Sequence, residues 1–124
     1  MGVEIKIQYH LELTIIVPIF ATQINKMKKK LFDGILRQVL DRYQISKEEL
    51  YEQSKMPDVV NARYLLFYVC KMKGIDVSRL RKLLKDDGFD MTYATILRGI
   101  KVMEKRIMED SDYSVIVSSI NTNQ

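Results

Sequence analysis

The sequence predicts a mainly α-helical bundle that contains a helix-turn-helix and is preceded by one β-strand paired between chains. Three observations predict it. From Thr22 onward apolar residues recur at helical spacing, with capping residues and glycines punctuating the segments. Near the far end, a short segment, Gly88 and a longer segment follow one another as in a helix-turn-helix. At the start, Val3, Ile5, Ile7, Tyr9, Leu11 and Leu13 alternate with polar residues, which is the period of a half-buried strand.

The strand is expected to run over residues 3–17, with Ile15, Ile16 and Val17 extending it until Pro18 stops it. No later segment offers a mate, so its ladder groups should seek the same segment of a second copy or another sheet edge. Packing as irregular chain or helix is the other reading. Residues 1–21 are therefore assigned to an assembly segment, residues 22–120 to the helical domain and residues 121–124 to a frayed tail.

Thr22 is the expected N-cap of the first helix, whose stripe is Ile24, Met27, Leu31, Ile35, Val39 and Tyr43. Ser46 and Glu49 form a capping box, so a short helix begins at Lys47. Pro57 suits the first turn of the next helix, about residues 58–73, which is apolar nearly all round and should be central and buried. Gly74 stops it. Asp76 or Ser78 caps a helix with Leu80, Leu83 and Leu84 inward, and Gly88 ends it. Asp90 or Thr92 caps the long helix that follows, with Tyr93, Ile96, Leu97, Ile100, Met103 and Ile107 on its inner stripe. Ser111 or Asp112 starts a last short helix.

At 124 residues and 47% hydrophobic content, one soluble domain is expected. The charge is uneven. Residues 55–106 hold 12 basic and 6 acidic side chains, whereas residues 107–124 hold 3 acidic and none basic. That places the positive excess with the late helix pair, as phosphate binding requires, although a solvated Lys-rich face gives the same count. A single Cys70 and a single His10 exclude an internal disulfide and the usual zinc spacings. The five glycines are too scattered for a phosphate loop, and His10 lies on the polar face of the expected strand. Enzyme function, a cofactor, a small-molecule substrate and a membrane span are accordingly not expected.

What remains is a set of contact residues. Thr92, Thr95, Arg98 and Lys101 can project from successive turns of the long helix. Threonine methyl and hydroxyl groups suit base edges, and arginine can bind guanine through two hydrogen bonds. Alternatively Thr92 merely caps, Tyr93 packs, and the two cations solvate the helix.

Residues 24–120 resemble the C-terminal DNA-binding domain of the bacterial replication initiator DnaA, a TrpR-like helical domain. The resemblance rests on Val39-Leu40-Asp41-Arg42-Tyr43-Gln44-Ile45-Ser46, then Glu49-Leu50, the basic stretch around Lys55, Val59-Val60-Asn61-Ala62-Arg63, and Thr95-Ile96-Leu97-Arg98-Gly99-Ile100. It implies that Lys55 reaches a minor groove and that Arg63 contacts DNA. Thr92, Tyr93, Ala94 and Thr95 fall on the family's Asp-His-Ser-Thr signature, of which Thr95 alone is identical. The turn from Leu84 to Met91 is several residues longer than the family's, so a different target sequence is implied. Small stand-alone phage or mobile-element proteins are similar, which makes the cytoplasm of a bacterial cell the expected setting.

The expectation is therefore a sequence-selective duplex-DNA-binding protein of replication initiation or transcription control, without ATPase activity and dimeric through residues 3–17. Lys55 and Arg63 would serve the minor groove, Thr92, Tyr93, Thr95 and Arg98 the major groove, and Arg79, Lys82 and Lys101 the phosphates. The alternative is a protein–protein adaptor or virion component that keeps the fold without DNA contact.

Overall fold

The computed structural model describes residues 2–52 and 55–120, with side chains from Val17 onward. Among these residues every regular element is a helix: α1 (Gly2–Tyr43), α2 (Lys47–Tyr51), α3 (Pro57–Met72), α4 (Val77–Asp86), α5 (Tyr93–Glu109) and α6 (Ser111–Ser119). The expected frayed tail lies outside the described residues.

The expected β-strand is overturned. Residues 3–17, and with them the strand pairing between chains, belong instead to α1. The physical reason is the backbone. A lone strand leaves its N–H and C=O groups to a partner, whereas a helix satisfies its own within the segment. Alternation of side chains reports period two but cannot supply the mate. Pro18 lies inside α1 rather than stopping an element, and Thr22 is no cap. The Thr22 hydroxyl instead donates to the Pro18 carbonyl at 3.0 Å, one turn back.

The chain divides between Lys30 and Leu31 into two compact units. In the second, Phe32, Ile35, Leu36 and Val39 of α1 join a core with Leu65, Leu66, Phe67 and Cys70 of α3, Leu80 and Leu84 of α4, and Ile96, Ile100 and Met103 of α5. Helix α3 packs against α2, α4 and α5, which is why it is apolar nearly all round. It crosses α5 closely at Gly99. A Cβ there would lie 2.7 Å from Tyr64 Cδ1 and 3.0 Å from Phe67 Cδ2, so the crossing depends on the missing side chain. At the far end of the same crossing, the Arg106 guanidinium donates to the Asn61 side-chain oxygen and lies over the Tyr64 ring.

Local chemistry sets the helix ends. The Ser46 hydroxyl accepts from the Glu49 N–H at 3.1 Å, closing the capping box, and Pro57 occupies the first position of α3. Asp76 rather than Ser78 caps α4, and Asp110 caps α6. Gly88, at φ +93°, follows α4 in a Schellman motif. Its N–H reaches the Lys85 carbonyl at 3.0 Å, and the Phe89 N–H reaches the Leu84 carbonyl at 2.8 Å. That geometry throws Phe89 back onto the core.

Candidate nucleic-acid interface

The turn 87–92 between α4 and α5 is fastened on both sides. Phe89 is 7% exposed and stacks on the Tyr51 ring of α2, with centroids 4.7 Å apart. The Tyr51 hydroxyl donates to the Asp87 carboxylate at 2.6 Å, and the Lys47 ammonium pairs with the same carboxylate at 3.3 Å. From α4, the Arg81 Nε donates to the Met91 carbonyl at 3.1 Å. The turn is thus folded against α2 and α4.

The Arg63 guanidinium lies 5.9 Å from the Phe89 ring centroid. Its Nε donates to the Leu50 carbonyl at 2.8 Å, and its Nη2 donates to the Glu52 carbonyl. Burial lowers its pKa from the ordinary arginine value, but a guanidinium stays charged. Arg63 therefore clasps the end of α2 and the start of the segment that carries Lys55. Lys55 is exposed, and it lines with Arg63 and turn residues 88–91 an open cleft of about 520 Å³.

Helix α5 starts at an N-cap made by Thr92, whose hydroxyl accepts from the Thr95 N–H at 3.2 Å. The Thr92 and Thr95 hydroxyls also bond each other at 2.8 Å. Both are exposed, but their polar atoms are engaged in the cap, which leaves the Thr95 methyl as an outward feature. Tyr93 is 48% exposed rather than packed on the inner stripe where its spacing put it. Ala94, Arg98, Lys101 and Lys105 recur at steps of four, three and four residues and are all exposed, so they share one outward face. On α4, Lys82 is exposed and Arg79 is half-buried in the first turn, where its N–H closes the Asp76 cap at 2.8 Å.

The structure thus brings Lys55 and Arg63 together in one cleft, and it strings Tyr93, Thr95, Arg98 and Lys101 along the exposed part of α5. It gives Arg63 internal partners that the sequence did not announce, and of the two caps the sequence offered, Asp90 and Thr92, it uses Thr92. It also adds Arg81, Tyr51, Asp87 and Phe89. Arg81 could have been found from the stripe Leu80–Leu84, which turns its neighbour toward the following helix. The contacts of Tyr51 with Asp87 and Phe89 span more than 30 residues and leave no local trace. Among the described residues, no group of His, Cys, Asp or Glu is placed to hold a metal ion, and no helix is long and apolar enough to cross a membrane.

Burial and the Asp87 hydrogen bond raise the Tyr51 pKa above its ordinary 10.0, and burial alone raises that of Cys70 above 9.0. Both groups are neutral in the fold and ionise more readily once unfolded. Their contribution to stability is full below about pH 8 and falls as pH rises past the unfolded values. The denaturant midpoint should therefore be lower at about pH 10.5 than at about pH 7.5, and Tyr51→Phe should shrink the difference. Equal midpoints for the wild type would contradict this.

No protein-family model matches the chain, and no solved structure matches it. Over 92 residues, or 72% of its length, the chain is 28% identical to the chromosomal replication initiator protein DnaA of Oleidesulfovibrio alaskensis. The match spans 19% of that initiator, so the chain is similar to one part of a much longer protein.

Proposed function

We propose that the chain binds duplex DNA in replication initiation or transcription control, with α4 and α5 as its helix-turn-helix. The observation that carries this reading is the outward face of α5. From a capped N-terminus it offers an aromatic ring, two small side chains and then Arg98 and Lys101, without an acidic residue before Glu104. Similarity to part of an initiator supports it. Tyr93, the Thr95 methyl and Arg98 would meet base edges. Arg79, Lys82 and Lys101 would meet phosphates, and Lys55 would enter the adjoining groove. Arg63 would hold the Lys55 segment in place. Tyr93 stands where the resemblance puts an imidazole, so the preferred site would differ from the initiator's. The reading assigns no catalysis.

A gel shift on random duplex DNA tests it. Binding should be clear at about 50 mM salt and should weaken steeply by about 200 mM, with a log–log slope of roughly −0.9 per phosphate neutralised. Lys101→Ala should reduce that slope by about one without altering sequence preference. No shift at the lower salt would sink the reading and favour the adaptor alternative.

A further inference from the structure

Residues 17–27 of α1 carry a run of exposed large apolar side chains, with Ile19 (51% exposed) beside a regular stripe. Val17, Phe20, Ile24 and Met27 are 59%, 57%, 46% and 68% exposed. Their steps of three, four and three residues place them on one face of the helix, at the spacing of a coiled-coil seam. A water-exposed helix gains little from such side chains unless another surface covers them.

We infer that this stripe is the seam of an antiparallel helix pair made with the same stretch of a second copy. The stripe is self-complementary about residue 22. When one helix is reversed on another, Val17 meets Met27 and Phe20 meets Ile24, a small side chain against a long one and a ring against a branched chain. A twofold axis then makes each contact twice, which is the requirement for a closed dimer.

Charge selects the orientation. Residues 17–33 contain Lys26, Lys28, Lys29 and Lys30 against a single acidic residue, Asp33. A parallel pair would set the two lysine clusters side by side. An antiparallel pair centred on residue 22 puts the nearest lysines, Lys26 of each copy, roughly 12 Å apart along the axis, at about 1.5 Å per residue. That distance exceeds the Debye length of about 8–10 Å, so the repulsion is largely screened. Thr22, at the centre, points its hydroxyl back to Pro18 of its own helix and so needs no partner across the pair. Association at this end of the chain is through helices and is independent of DNA binding.

Sedimentation of the full chain over about 1–100 μM should show a concentration-dependent monomer–dimer equilibrium. Phe20→Glu should make the protein monomeric throughout and remove any dependence of the thermal midpoint on protein concentration, while the core of residues 31–120 still unfolds cooperatively, because the side chain lies outside that core. Under mild oxidation, a mixture of Val17→Cys and Met27→Cys proteins should crosslink predominantly one variant to the other. A wild-type monomer across the range, a dimer indifferent to Phe20→Glu, or crosslinks predominantly between two Val17→Cys chains would each overturn the inference.

Discussion

Replacing Phe89 with alanine should lower stability by about 3–5 kcal/mol, the usual range for emptying a buried phenyl site. For a core of this size that is a fall of roughly 10–20 °C or more in the thermal midpoint. The magnitude follows from what the ring touches. It is 7% exposed, stacks on Tyr51 and underlies the Arg63 guanidinium, so truncation removes apolar burial and two aromatic contacts together. It also frees the turn 87–92, which is fixed to α2 through Phe89 and Asp87. On the proposed reading, that turn presents the α5 N-terminus to DNA. Affinity should therefore drop even at temperatures where the variant is folded. Phe89→Leu keeps most of the apolar volume but no ring face, and should lose less than half as much stability. A denaturant melt of both variants decides it. A Phe89→Ala midpoint close to that of wild type would show that the ring is not structural.

Legibility in the sequence follows how local each feature is. The Ser46 capping box, Pro57 at the start of α3 and Gly88 after α4 each depend on residues within one turn, and the helices they bound could be placed from the sequence. Burial of α3 was equally legible, because Leu65, Leu66, Phe67 and Cys70 leave no polar face over that stretch. The N-terminal segment failed for a reason of the same kind. Alternation over residues 3–13 describes side chains, whereas the choice between strand and helix depends on where backbone hydrogen bonds go. The contact residues divide likewise. Arg98 and Lys101 are exposed because helical periodicity fixes their side. Thr92 reads in sequence as either a cap or a contact, and the cap three residues away engages it, whereas Arg63 reads as a contact but is engaged by carbonyls 13 and 11 residues away. The long turn before Thr92 is held by Tyr51 and Lys47, 36 and 40 residues from Asp87, and by Arg81, and only the last of these is near it in sequence.

The Arg63 clasp separates two ways in which a cation can serve a DNA-binding surface. If its role were to supply positive charge, Arg63→Lys would preserve binding. The geometry instead uses the planar fork, with Nε and Nη2 on two different carbonyls and the plane against Phe89. An ammonium has donors enough, but all on one nitrogen at the end of a flexible stem, so it cannot reproduce the fixed fork or the guanidinium's contact with Phe89. Arg63→Ala should cost about 2 kcal/mol of stability, since charge-assisted bonds are lost and the part-buried Leu50 carbonyl is left unpaired. Arg63→Lys should recover only a minority of that loss. On the DNA-binding reading, both variants should weaken affinity by about 1–3 kcal/mol, because the segment carrying Lys55 is no longer held at the cleft. Lys55→Ala should cost affinity alone and leave stability unchanged, since Lys55 is exposed. Paired melts and gel shifts on the three variants test the assignment. If Arg63→Lys matches the wild type in both measurements, the side chain acts as a point charge, and the clasp has no functional weight.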